Sequence, residues 1–126
     1  MADEKIKVLV VEDHAVAKKI ALAILGALNC QVDMASDGDE ALELFAKNRY
    51  QLILVDLGLP SMDGFELTQK IQTMKAATQK LAIVALTAHC NNDYKKRCLE
   101  LGMNAFLSKP LTTEIAKAML NNIVRH

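Results

Sequence analysis

Five short apolar runs alternate with five longer segments in which polar and charged residues recur, and this alternation confines the chain to few folds. The runs read as strands over Lys5–Val11, Gln31–Ala35, Gln51–Asp56, Leu81–Thr87 and Asn104–Ser108. The segments between and after them read as helices over Ala15–Leu28, Asp39–Asn48, Gly64–Lys75, Asn92–Leu101 and Thr113–Val124. A run such as Leu52-Ile53-Leu54-Val55 shows no polar alternation, the mark of a strand buried on both faces. Parallel neighbours need a crossover long enough to hold a helix. The pattern therefore predicts an α/β domain, a single five-stranded parallel sheet doubly wound with helices on both faces. Right-handed crossovers leave only a few strand orders. The punctuation agrees: Asp37-Gly38 is a turn signal, Asp63-Gly64 opens the third helix, Gly102 follows the fourth, and Thr112 or Thr113 caps the fifth.

The chain has 126 residues, the usual size of one domain, and the whole of 1–126 is read as one unit. Lys+Arg and Asp+Glu balance at 15 each, which gives no reason to expect direct binding to nucleic acid or to an acidic membrane surface. No stretch is long and apolar enough to span a bilayer, and Met1-Ala2-Asp3-Glu4-Lys5 lacks the apolar core of a secretion signal. Cys30, Cys90 and Cys98 are odd in number and lack metal-ligand spacing, so they read as reduced core thiols of a cytoplasmic protein.

The chemistry gathers at strand ends. Asp56 closes the third run before a Gly/Pro loop, Glu12 and Asp13 follow Val8-Leu9-Val10-Val11, Thr87 ends the fourth run, and Lys109 follows the fifth. In an open parallel sheet all of these stand at the carboxyl edge, where such folds place their sites. Each has an ordinary reading in isolation, as a helix cap, a strand-end residue or a solvated loop lysine; their coincidence at one edge favours a site. The phosphate-cradling motifs G-x-x-x-x-G-K-[ST] and G-x-G-x-x-G are absent, and the acids after the first strand would repel a phosphate unless a cation intervened. A hard cation such as Mg²⁺ takes oxygen ligands. Asp13 and Asp56 could supply two and Glu12 could hold a water. Asp56 is then a candidate nucleophile toward phosphorus, with Lys109 pairing the phosphoryl oxygens and Thr87 donating a hydrogen bond.

These residues and their surroundings resemble the receiver domain of response regulators, the phosphoacceptor of two-component signalling. The resemblance rests on Val8-Leu9-Val10-Val11-Glu12-Asp13, Ala35-Ser36-Asp37-Gly38, Asp56-Leu57-Gly58-Leu59-Pro60-Ser61-Met62-Asp63-Gly64, Ala85-Leu86-Thr87-Ala88 and Gly102-Met103-Asn104-Ala105-Phe106-Leu107-Ser108-Lys109-Pro110, and runs from about Lys5 to Val124. It implies a flavodoxin-like fold with strand order 2-1-3-4-5 and phosphorylation of Asp56. It implies Mg²⁺ held by Glu12, Asp13, Asp56 and the Gly58 carbonyl, with Thr87 and Lys109 on the phosphoryl group and Thr87 and Phe106 as the switch pair. The ring is Phe where Tyr is common, and Leu59-Pro60 stands where Met-Pro is common. Ala85-Leu86-Thr87-Ala88-His89, with Gly102-Met103-Asn104 and Leu107-Ser108-Lys109-Pro110-Leu111, most resembles receivers of hybrid sensor histidine kinases. The expectation is a switch that assists its own phosphotransfer and dephosphorylation and is not a turnover enzyme. It would be free-standing in the cytoplasm or a cytoplasmic part of a membrane-bound hybrid kinase. The other reading is a receiver-shaped interaction module regulated without phosphate.

The first helix suggests the partner. Between Ala15 and Leu28 its charged residues are Lys18 and Lys19. With Ile20, Ile24 and Leu28 set against the sheet, Ala15, Leu22 and Leu25 would be exposed, and an exposed apolar patch suits docking. The resemblance implies a histidine kinase or histidine phosphotransfer domain as partner. Its expected docking surface is His14, Ala15, Lys18, Leu22 and Leu25, with Pro110 and Leu111 at the edge.

Overall fold

The computed structural model describes residues 5–58, 63–76, 79–88 and 91–124. Strands β1 (Ile6–Val11), β2 (Cys30–Ala35), β3 (Leu52–Asp56), β4 (Ala82–Thr87) and β5 (Ala105–Ser108) alternate with helices α1 (Ala15–Ala27), α2 (Gly38–Lys47), α3 (Gly64–Met74), α4 (Asn92–Glu100) and α5 (Thr113–Met119). The strands form one parallel sheet in the order β2-β1-β3-β4-β5. Every expected element is present, with ends displaced by a residue or so. The exception is the last helix, which passes into a π-helical segment over Leu120–Val124.

The sheet is packed on both faces. On one, Leu9, Val11, Ile53, Val55, Ile83 and Ala85 meet Phe45 of α2, Leu67 and Ile71 of α3 and Cys98 of α4. On the other, Val8, Val10, Leu52, Leu54 and Val84 meet Ala21 and Leu25 of α1 and Ala116 and Met119 of α5. This two-sided burial is why β1, β3 and β4 lack polar alternation. Cys30 and Cys98 are buried, as expected of core thiols; Cys90, His89 and the Leu59-Pro60-Ser61-Met62 segment lie outside the described residues.

Helix starts are set by short polar side chains. Asp37, Asp63, Asn91 and Thr112 each cap a helix by accepting a hydrogen bond from the backbone N–H three residues on. Gly102, with φ +81°, ends α4 in a left-handed turn in which Met103 N–H donates to the Cys98 carbonyl at 3.0 Å. Below the sheet, the buried Tyr50 hydroxyl donates to Asp33 Oδ2 at 2.7 Å, tying the start of β3 to edge strand β2. Burial first, and the Asp33 carboxylate second, hold this phenol well above its ordinary pKa.

Helix α1 departs from expectation. Leu25 is fully buried, together with Ala21, whereas Ile20 is 40% exposed. Ile24 and Leu28 are only partly buried. Apolar residues occur all round this helix, so periodicity could not select the inward face; close approach through the small Ala21 does.

Gly64 sits where any side chain would collide. A Cβ there would lie 2.8 Å from Leu57 Cδ2, 2.9 Å from Leu57 Cα and 3.0 Å from the Asp56 carbonyl. Two of these neighbours are backbone and cannot yield cheaply. Gly64→Ala is expected to destabilise the fold by about 1–3 kcal/mol, as overpacking does. Gly26, whose Cβ would meet nothing within 4 Å, is the contrast. Gly26→Ala is expected to be neutral or to stabilise by up to about 1 kcal/mol. Urea unfolding midpoints of the two variants check both signs.

Candidate functional site

The register builds the site. Val11 of β1 pairs with Val55 of β3, so the next residues, Glu12 and Asp56, are neighbours at the sheet edge. Asp56 pairs with Leu86, the residue before Thr87, and Thr87 pairs with Ser108, the residue before Lys109. The Lys109 N–H continues this ladder, donating to the Thr87 carbonyl at 2.8 Å. Residues from four strand ends are thereby gathered, and Glu12, Asp56 and Thr87 are buried at 3, 8 and 3% exposure.

Lys109 binds the acids together. Its Nζ lies 2.5 Å from Glu12 Oε1 and 3.2 Å from Asp56 Oδ2. The second Asp56 oxygen, Oδ1, accepts the Gly58 N–H at 3.0 Å, and the second Glu12 oxygen accepts the His14 N–H at 3.2 Å. Burial alone would depress the lysine pKa; hydrogen bonds and charge attraction from Glu12 and Asp56 outweigh it, and the net shift is upward. The ammonium is therefore charged throughout the neutral range. One carboxylate oxygen stands apart: Asp13 Oδ1 is buried and has no hydrogen-bond partner among the described residues. A buried anionic oxygen with no hydrogen-bond partner among the described residues, close to the Glu12 carboxylate, fits a bound cation.

The expected residues are thus largely brought together. Glu12, Asp13, Asp56, Thr87 and Lys109 share the edge, with Gly58 on the loop leaving β3. Glu12 is bonded directly to Lys109, a contact the sequence reading did not include. Phe106 is half-buried on β5 opposite Ala85, against the core layer under α2, α3 and α4. A groove of about 290 Å³ lies beside it, lined by Asn91, Asn92, Lys95 and Ser108. The expected docking residues divide. His14, Ala15, Leu22 and Pro110 are exposed. Lys18 is half-buried and its ammonium is turned onto the Ser36 hydroxyl. Leu25 and Leu111 are buried in the core and cannot form a docking surface. Leu22 is exposed as expected, at 48%, and Val16 and Ile20, not expected at the surface, are exposed too, at 70 and 40%.

A second constellation escaped sequence reading. The Arg97 guanidinium stands 3.8 Å from the centroid of Phe65, and Tyr94 meets the same ring edge-on at 5.7 Å. Phe65 directly follows Gly64, whose N–H donates to the Leu57 carbonyl at 3.3 Å. The loop after Asp56 is thereby joined through α3 to α4 by a cation–π and aromatic contact. Nothing in the local sequence links positions 65, 94 and 97.

Comparison with known proteins agrees with this geometry. The family model described as response regulator receiver domain matches residues 8–121. The chain is 37% identical over 119 residues to the sensor histidine kinase RcsC of Salmonella typhimurium; the match covers 94% of this chain but 12% of RcsC. It is 30% identical, with a TM-score of 0.86, to the receiver domain of the sensor histidine kinase PA1611 from Pseudomonas aeruginosa PAO1, a structure with magnesium coordinated in the active-site cleft; coverage is 98% of this chain and 100% of that one. A chain from the co-crystal of the Saccharomyces cerevisiae phosphotransfer protein Ypd1 with the receiver domain of Ssk1 matches at 27% identity and TM-score 0.85, covering 96% of this chain and 90% of that one.

Replacing Lys109 by Gln would leave two buried carboxylates without their cation. The expected cost at pH 7 is about 2–4 kcal/mol, near the range for breaking a buried pair. Because the folded-state pKa is raised, this contribution should be fully present below the ordinary lysine value of about 10.4 and be lost as pH rises through the higher folded value. Urea unfolding of wild type and Lys109→Gln at pH 7, 9 and 11 should give equal differences at the first two and a smaller one at the third.

Proposed function

This chain belongs to the response regulator receiver domain family of two-component signalling, and on that premise we propose that it is a phosphoacceptor switch taking a phosphoryl group from a phosphohistidine onto Asp56. The observation that carries this is the contact of Lys109 with Asp56, 53 residues apart in sequence, together with an Asp13 oxygen that is buried with no hydrogen-bond partner among the described residues. In the reaction an Asp56 carboxylate oxygen attacks phosphorus. The P–N bond to the donor imidazole breaks, and its electron pair returns to that nitrogen. Gly58 N–H orients the attacking carboxylate through Oδ1. Lys109 follows the charge from the carboxylate onto the transferred oxygens, and Thr87 supplies a hydroxyl to one of them. Asp13, with Glu12, Asp56 and the Gly58 carbonyl, would hold Mg²⁺. When bound, this ion neutralises charge on the transferring group.

Phosphorylation adds roughly −1.5 to −2 charge. A change from a mostly inactive to a mostly active population needs about 5.5 kcal/mol of differential stabilisation. The proposed route is Thr87 toward the phosphoryl group, Phe106 into the space vacated, and α4 by way of Tyr94 and Arg97. Phe106 carries no hydroxyl that must be satisfied when buried, so its inward turn costs less than a tyrosine's would.

The proposed partner is a histidine kinase or histidine phosphotransfer domain. It would dock on Val16 and Ile20, which share one exposed flank of α1, with Pro110 beside Ile20, Ala15 at the helix start and exposed Lys19 as the steering cation. The chain spans about 12% of RcsC, and membership in a longer hybrid kinase is part of the proposal. No helix among the described residues is long and apolar enough to cross a membrane. The proposed site of action is the cytoplasm.

Asp56→Asn keeps the shape and removes the nucleophile. Intact-protein mass spectrometry after incubation with acetyl phosphate and Mg²⁺ should show one added phosphoryl group on wild type and none on the variant, with unchanged circular dichroism. Undiminished incorporation in Asp56→Asn would sink the assignment. Docking is checked separately. Ile20→Asp should slow transfer from a phosphohistidine domain while labelling by acetyl phosphate stays at the wild-type rate; equal rates from both donors would move the docking face elsewhere.

A further inference from the structure

We propose that the cavity between α1 and the sheet is a binding site for compact, uncharged, apolar molecules the size of a benzene ring, and that its occupant lies against the Lys109–Asp56 pair. The cavity has a volume of about 100 Å³. It originates on α1. Ala17 and Ala21 stand four residues apart and so share a face of the helix. Opposite them are Val10 of β1, Leu54 of β3 and Leu86 of β4, and Leu111 completes the apolar lining. One turn further along α1 the fully buried Leu25 packs into the same core layer. Two methyl groups lack that reach, and the space before them stays unfilled.

The lining selects the chemistry of the guest. Glu12, Asp56 and Lys109 also border the cavity, but their charged heads are engaged with one another, Lys109 Nζ at 2.5 Å from Glu12 Oε1 and 3.2 Å from Asp56 Oδ2. The other oxygen of each acid accepts a backbone N–H, from His14 and Gly58. A guest therefore meets mainly hydrocarbon, and a polar one would give up hydrogen bonds to water for little in return. A negative charge beside two carboxylates and one ammonium would be repelled, which disfavours anions. Size sets the other bound. An engineered cavity of about 150 Å³ lined by Leu, Ile and Phe binds benzene or xenon. The cavity under α1 is smaller but not sealed. Ile20, 40% exposed, and the exposed Pro110 both line it, so a six-membered ring can enter between α1 and the turn after β5.

The test is titration of the whole chain with benzene, followed by methyl and amide NMR. Saturable shifts are expected at the methyls of Ala21, Leu54, Leu86 and Leu111 and at the Lys109 N–H, in the millimolar range that suits a ligand of so few atoms. Benzoate over the same range should produce no saturable shift at these positions. Ala17→Leu extends a partly buried side chain into the cavity and should weaken benzene binding by about fivefold or more, with unchanged circular dichroism. Nuclear Overhauser contacts from benzene protons to the Ala21 and Leu54 methyls of wild type locate the ring without any variant. Absence of saturable shifts at those methyls in wild type would overturn the proposal. So would benzoate binding as tightly as benzene, unchanged benzene affinity in folded Ala17→Leu, or contacts centred instead on Phe106 and Lys95.

Discussion

The ammonium of Lys109 lies between the carboxylates of Glu12 and Asp56, and the arrangement of the sheet edge depends on that placement. Two acids this close and this buried repel one another and lose hydration, a combination that a domain of ordinary stability cannot carry uncompensated. The lysine supplies the compensation from a strand that contacts neither acid's strand directly, since β4 lies between β5 and β3. Its backbone is fixed by the Thr87 carbonyl and its head by the acids. In the proposed transfer, the group that stabilises the resting site is the one that would follow charge onto the phosphoryl group.

Parallel pairing makes this possible. All five carboxyl ends emerge on one side, so residues distant in sequence arrive together. Burial of both faces holds those ends rigidly, and helix α3 begins hard against the Asp56 backbone because Gly64 has no side chain. The loop carrying Gly58 leaves from that tightly packed junction. On the other side Phe106 is half-buried beside a groove, and α4 meets α3 through the Arg97–Phe65–Tyr94 contacts. The contacts from Leu57 to Gly64 and from Phe65 to Tyr94 and Arg97 connect the β3 end with α4.

The α1 surface shows how packing and docking divide one apolar helix. Ala21 and Leu25 serve the core, and Val16, Ile20 and Leu22 remain outside. Beside them an apolar cavity of about 100 Å³ runs from Ala17 and Ala21 to Leu54, Leu86 and Leu111, with Lys109 at its end. Ile20 and Pro110 thus border the same cavity as Glu12, Asp56 and Lys109.

The strands, the helices, the opening of α3 at Asp63, the Thr112 cap and the set of edge residues were legible in the sequence because each depends on local chemistry. Buried parallel strands need unbroken apolar runs, four of the helix starts use Asp, Asn or Thr, and a left-handed turn selects Gly102. Asp13, Asp56, Thr87 and Lys109 could be placed at one edge because a parallel sheet leaves no other location for strand ends. What only the tertiary structure decided depends on distance between residues far apart in sequence. The rotation of α1 turned Leu25 inward and Ile20 outward, because a helix apolar all round takes its face from the surface it meets. Leu111, in the connection between β5 and α5, is buried in the core layer under α1 and α5. The Lys109–Glu12 pair, the Tyr50–Asp33 hydrogen bond and the Arg97–Phe65–Tyr94 cluster join residues that no periodicity connects. The burial of Asp13 Oδ1, with no hydrogen-bond partner among the described residues, is likewise a property of the tertiary structure.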